Sequence, residues 1–230
     1  MENIDVVERA EFAIVKLRNV GIVLTEDEEE IVRKCSILLR DALKIMNPRF
    51  IPGHDIEHMF RVMEIAIFLQ RRHGGDFTKI VLAALFHDIL RHEKEHAKKS
   101  AGFAREYLSH TEFRDIADDV ARIIEEHSYS TRKNASSIES MILQDADRLD
   151  ALGAIGVARV FSYSAHLGRG LYNYRNPRSG GSIAHFFEKI LKLPELMNTE
   201  TAKMLATRRA GVVKNFVDTF LRELYLKDLA

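Results

Sequence analysis

Hydrophobic positions recur every three to four residues along nearly the whole chain, the spacing that gathers them on one face of an α-helix. The pattern predicts helices over roughly 4 to 19, 26 to 46, 54 to 72, 77 to 90, 96 to 108, 111 to 127, 136 to 149, 151 to 166, 182 to 192 and 200 to 228. With 4 Pro and 12 Gly among 230 residues, few positions interrupt these runs, and β-structure has little room. Punctuation agrees with the periodicity. Thr25 followed by Glu28 has the form of a capping box. Asn47-Pro48 and Ile51-Pro52-Gly53 break the chain before a helix restarts near His54. His73-Gly74-Gly75-Asp76 then separates the helix bearing His58 from IVLAALFHDIL, residues 80 to 90, whose unbroken apolar run predicts burial. The least helical stretch is LGRGLYNYRNPRSGGS, residues 167 to 182, with the character of a mobile lid. No repeat and no long linker divides the chain. The expectation is therefore one all-α unit over 1 to 230, with a core of about 50 to 165 and a C-terminal helical cap of about 166 to 230.

Composition narrows the partners. Lys plus Arg and Asp plus Glu both total 34, so the net charge is +0 and no global basic field exists to collect nucleic acid or an anionic membrane. A hydrophobic share of 46% with 30% charged residues fits a folded globular chain and not a disordered one. The single Cys35 excludes an intrachain disulfide and a Cys-based zinc site, leaving any metal chemistry to His and carboxylates. No run approaches the roughly 18 apolar residues of a membrane span. The acidic amino terminus, MENIDVVERAEF, is unlike a signal peptide, so the expectation is a cytoplasmic protein.

Three segments carry chemistry: GHDIEHMFRV (53 to 62), LFHDIL (85 to 90) and QDADRLDALG (144 to 153). Each sets His or Asp among apolar neighbours, where an uncompensated polar or charged group costs several kcal/mol. A divalent cation would offset that cost. Imidazole plus carboxylate suits manganese, iron, cobalt, nickel or zinc better than magnesium or calcium, which prefer oxygen-only shells. A lone His or an adjacent His-Asp pair is weak evidence, and His73, His110 and His166 are ordinary helix positions. The ordered combination is the signal: His58, then His87-Asp88, then a distal Asp. His54 lies one turn before His58, so both can face one cleft. Periodicity leaves the distal Asp open among Asp145, Asp147 and Asp150, with Asp145 on the apolar face of Ile138, Met141 and Ile142.

The segments HDIEHMFRV, ALFHDIL and DADRLDALGAIGVAR, together with the tail YRNPRSGGSIAHFFEKILKLPELMNTETAKMLA, resemble the HD-domain metal-dependent phosphohydrolase superfamily and its small bacterial and archaeal nucleotide hydrolase branch. The likeness covers about residues 50 to 225. It implies a helical bundle around a buried divalent ion, with hydrolysis of nucleotide phosphoesters or phosphoanhydrides. Carried over by position, it implies His58, His87, Asp88 and Asp147 as metal ligands, selecting Asp147 as the Asp directly before a basic residue. One tightly held ion is expected, manganese first, with nickel, cobalt, iron, zinc and magnesium as alternatives.

Phosphoryl transfer also needs fixed cations and a proton donor. Arg148, beside Asp147, is the first candidate for a substrate phosphate, followed by Arg61 and Lys98. In RHEKEHAKK, residues 91 to 99, His96 is the favoured general acid, with Glu93 beside it, and His127 in IIEEH is a further acid or phosphate binder; the resemblance also implies that two such histidines can instead complete a second metal site, although one ion is expected here. His185 and Lys189, four apart in SIAHFFEKI, are candidates to meet a nucleotide beneath Tyr172, Tyr174 and Arg178. Phe186, Phe187, Leu191 and Leu193 read as core. The leading expectation is cleavage of (deoxy)nucleoside triphosphates to monophosphate and pyrophosphate. The alternatives are a nucleoside monophosphatase, a cyclic-nucleotide phosphodiesterase, a di-iron oxygenase and a non-catalytic nucleotide sensor. Oligomeric state is not readable.

Overall fold

The structure is a computed structural model describing residues 5–46, 48, 50–128 and 134–229. Residue 4, the start expected for the first helix, and Asn47 of the expected Asn47-Pro48 break lie outside these. The described residues form ten α-helices and no strand: α1 (Val6–Asn19), α2 (Glu26–Met46), α3 (Ile56–His73), α4 (Phe77–Phe86), α5 (His96–Ser109), α6 (Ala117–Glu126), α7 (Ile138–Asp150), α8 (Gly153–His166), α9 (Gly181–Glu188) and α10 (Glu200–Leu224). Short 3₁₀ turns span Arg114–Ile116 and Ile190–Leu196, the second containing Pro194. None of these helices is long and apolar enough to cross a membrane.

The chain divides into two compact units, Met1–Asp147 and Arg148–Ala230. In the first, α4 is the central helix. Ile80, Val81, Leu82, Ala83, Ala84, Leu85 and Phe86 are all buried, because a helix apolar on every side must be covered on every side. It packs on α2, α3 and α6, with α5 against α6. The helix starts use short acceptor side chains for otherwise unpaired amides. Asp5 accepts from Val7 and Glu8, Asp55 from His58 at 3.0 Å, and Asp76 from Lys79 at 3.0 Å. The expected capping box is present: the Thr25 amide donates to Glu28 Oε2 at 2.8 Å and the Glu28 amide to Thr25 Oγ1 at 3.2 Å. Arg9 of α1, itself buried, donates through Nε to Glu57 and through a terminal nitrogen to Glu64, binding α1 to α3 by charge.

In the second unit α8 packs on α9 and α10. Phe161, Phe186 and Phe216 meet at ring-centroid distances of 5.7–6.0 Å, and Phe220 extends the cluster to Tyr172. Phe186 and Leu193 are core, as expected, whereas Phe187 is half-buried under the Arg178 guanidinium. The irregular segment is tied to α9: the amides of Ser182 and Ile183 donate to the carbonyls of Gly170 and Leu171, both at 3.0 Å. Gly181, at φ +77°, is needed there because a Cβ would stand 2.7 Å from Tyr172 Cα.

Candidate metal centre

The site grows from three places in the first unit. At the start of α3, the Asp55 cap grips the His58 amide itself, so the turn that begins the helix also sets the direction of the buried His58 side chain. At the end of α4 the helix stops at Phe86, four residues before the predicted end. His87 keeps helical angles, φ −59° and ψ −36°, and then tight turns close from Ile89 to Phe86 and from Arg91 to Asp88. This exit lets His87 and Asp88 both turn inward, which continued helical spacing would not permit for adjacent residues. The third place is α7, which presents Asp147.

Four donor atoms converge. His58 Nε2 and His87 Nε2 lie 3.2 Å apart, His58 Nε2 is 3.4 Å from Asp147 Oδ1 and 3.6 Å from Asp88 Oδ2, and His87 Nε2 is 3.7 Å from Asp88 Oδ2. Ligands held about 2.1 Å from one ion stand roughly 3.0 Å apart in an octahedron and about 3.4 Å apart in a tetrahedron. The observed separations match those edges to within a few tenths of an ångström. A second observation agrees: Asp88 Oδ1 is buried with no hydrogen-bond partner, a state that costs free energy unless a cation neutralises the carboxylate. The residues present therefore fit a divalent ion.

Protonation completes the match. The His87 Nδ1–H donates to the Ala84 carbonyl at 2.8 Å, leaving the Nε2 lone pair aimed into the cluster. Burial pushes its pKa down to about 4 despite the neighbouring Asp88. Burial alone would raise both carboxylates, but Arg91 and His87 hold Asp88 well below its usual range, and His58 and His87 hold Asp147 down. Imidazole nitrogens with carboxylate oxygens form the donor set of a first-row divalent metal.

Three further imidazoles surround this quartet. His54 Nδ1 is 2.9 Å from Asp88 Oδ2, and its ring meets His58 edge-on at 5.1 Å. His127, at the end of α6, donates Nδ1–H to the Ile124 carbonyl at 2.5 Å and points Nε2 to 3.6 Å from Asp88 Oδ1. His96, the first residue of α5, brings Nε2 to the same 3.6 Å. Among the described residues the groups able to hold an ion are His54–His58–Asp88, His58–His87–Asp147 and His87–Asp88–His127, and neither Asp145 nor Asp150 belongs to any of them. Asp150 is instead paired with Arg159 at 2.8 Å.

Glu93 accepts from Lys99 at 2.7 Å, with its side chain 40% exposed. Lys98 is exposed on α5, and Arg61 is half-buried on α3. Arg148, His185 and Lys189 belong to the second unit, where Arg148 donates to the Leu196 carbonyl. Sequence reasoning missed Arg91, whose Nη1 stands 2.6 Å from His96 Nε2 and 3.6 Å from Asp88 Oδ1. The available signal was its place three residues after Asp88.

Fold and donor set define an all-helical domain with a His and Asp cluster that could hold a metal ion. The family model "HD domain" matches residues 55–152. The uncharacterized protein YpgQ of Bacillus subtilis (strain 168) is 36% identical over 180 residues, 75% of this chain and 83% of YpgQ. A crystal structure of YpgQ in complex with ADP superposes with a TM-score of 0.65 at 27% identity, covering 84% of this chain and 97% of that one. A Lactobacillus plantarum protein gives a TM-score of 0.70 at 32% identity over 89% and 100% of the chains. An HD-superfamily hydrolase of Bacillus thuringiensis gives 0.64 at 37% identity over 84% and 97%. The chain belongs to the HD-domain superfamily of metal-dependent phosphohydrolases.

Proposed function

We propose that this enzyme hydrolyses nucleotides, cleaving (deoxy)nucleoside triphosphates to the monophosphate and pyrophosphate, with one divalent ion, manganese, held by His58, His87, Asp88 and Asp147. The observation that carries the reading is the approach of those four donors at separations of 3.2–3.7 Å inside the first unit. The nucleotide class is supported by the ADP bound to the related YpgQ.

When bound, the ion supplies Lewis acidity toward a phosphate oxygen and lowers the pKa of water, so that water can attack near neutral pH. The protein's share is orientation and proton control. The Ala84 carbonyl fixes the His87 tautomer, and His54 holds Asp88 Oδ2 in place from behind, as outer partners of metal ligands do. Arg61 follows His58 by three residues on α3 and so occupies a neighbouring position on the helix surface, within reach for a substrate phosphate. His96 begins the cycle without a proton on Nε2, because a guanidinium can only donate and Arg91 points at that atom. Its service as a general acid therefore requires the Arg91 contact to open and a proton to be taken up at Nε2.

The test is metal analysis of the purified protein, followed by a panel of nucleoside mono-, di-, tri- and cyclic phosphates with manganese, resolving phosphate from pyrophosphate. Pyrophosphate released from triphosphates is the expected result. Phosphate released from monophosphates, or opening of a cyclic phosphate, would replace the triphosphate assignment. Binding without turnover would reject hydrolysis of nucleotides.

A further inference from the structure

Asp88 has two sides. Its Oδ2 faces the four-ligand cluster, whereas Oδ1 is buried without a hydrogen bond, and His96 Nε2, His127 Nε2 and Arg91 Nη1 each stop 3.6 Å from it. His127 spends its Nδ1 proton on the Ile124 carbonyl, so its Nε2 presents a lone pair. His96 Nε2 also presents a lone pair, since the Arg91 Nη1 at 2.6 Å is a donor. Around Oδ1 the chain has thus assembled one carboxylate oxygen and two imidazole lone pairs. Such a set would suit a second divalent ion, as in two-metal centres, and on this side His87, Asp88 and His127 form a group able to hold one. Beside that place stands the Arg91 guanidinium. It engages His96 as a metal would, through the imidazole lone pair, and places a positive charge beside Oδ1 without supplying a hydrogen bond.

We propose that Arg91 is the built-in second cation of this centre, and that its side chain holds the metal count at one. The proposal rests on the reading of His58, His87, Asp88 and Asp147 as ligands of the first ion. An arginine remains charged at every working pH, so the second charge cannot be lost by dilution or chelation as an ion can. Among the described residues the other N–H groups of Arg91 hold no hydrogen bond, and with the side chain 23% exposed they are free to receive a phosphate oxygen. In this arrangement the first ion and Arg91 flank the substrate phosphate as the two ions of a dinuclear enzyme do.

Manganese alone is the probe, counted by equilibrium dialysis on the full chain and examined by electron paramagnetic resonance. The wild type is expected to hold one equivalent with the signal of an isolated ion. Arg91→Ala and Arg91→Gln should each take up a second equivalent and show the signal of an exchange-coupled pair, while Arg91→Lys, which keeps a cation, should stay at one. If Arg91→Ala fails to fold, the Gln and Lys variants carry the comparison. One equivalent in both charge-removing variants, or two in the wild type, overturns the role of Arg91 and leaves the first site standing. No equivalent in the wild type removes the first site and this inference with it.

Discussion

His87 shows how one side chain is prepared for metal. Its proton is committed to the Ala84 carbonyl, its Nε2 faces His58, and burial pulls its pKa to about 4. Replacing a donor and replacing a donor's support should therefore differ in size. His87→Ala and Asp88→Ala are expected to abolish metal uptake and to lower activity more than a hundredfold, with helicity retained by circular dichroism. His54→Ala, which removes a partner of Asp88 Oδ2, should cost about 10–100-fold in metal affinity. Full activity in either ligand variant would remove the site. The same burial sets a pH dependence. His87 and His96 are both pushed down to about 4 from 6.5, by burial first and, for His96, by Arg91 next. Between those values the unfolded chain binds more protons than the folded one, so stability falls as pH drops from about 6.5 to about 4. Each group contributes about 3 kcal/mol of that loss. Urea midpoints of metal-free protein in chelator, taken across that window, should fall steadily, and a flat profile would contradict the neutral buried imidazoles.

Single helix ends do two jobs here, and that separates what the sequence made legible from what it did not. The ten helices follow from apolar periodicity, and the Thr25–Glu28 box, the helix breaks and the buried α4 were all readable, because each depends on local chemistry. The end of α4 was not. IVLAALFHDIL continues apolar through Leu90, so periodicity runs past Phe86, and only the need to aim both His87 and Asp88 inward explains the exit. For the same reason residues 87 to 95 hid their facing. Helical spacing fails in the turns there, where Arg91 meets His96 and Glu93 pairs with Lys99. Asp147 could not be separated from Asp145 by period alone, since the choice depends on a contact with His58, far away in sequence. The caps yield a paired prediction. Asp55→Ala should destabilise the protein by about 1 kcal/mol and also weaken metal binding, because the lost bond holds the His58 amide. Asp76→Ala should cost a similar amount at the start of α4 while leaving metal affinity unchanged. Unfolding midpoints and metal titrations of the two variants check both halves, and equal metal affinities would break the link between cap and ligand.

At the scale of the molecule, the ion's part is to join distant chain. His58, His87, Asp88 and Asp147 come from α3, the turn after α4, and α7, all within the unit Met1–Asp147. Without an ion that unit must keep two carboxylates, Asp88 and Asp147, in its interior with no metal to offset their charge, and an unfolded chain has no such cluster with which to bind metal. Binding is then coupled to folding. Free metal at a hundred times its dissociation constant should stabilise the folded state by about 2.7 kcal/mol. For a unit of this size that corresponds to a rise of roughly 5–10 °C in Tm. Two nitrogen and two oxygen donors rank manganese, cobalt and nickel above magnesium, so at equal concentration magnesium should give the smaller shift. Thermal unfolding with each metal, then with excess chelator, tests this directly. The rise should vanish in chelator and be absent in His87→Ala. A wild type whose Tm ignores manganese would mean that these four side chains meet without holding an ion.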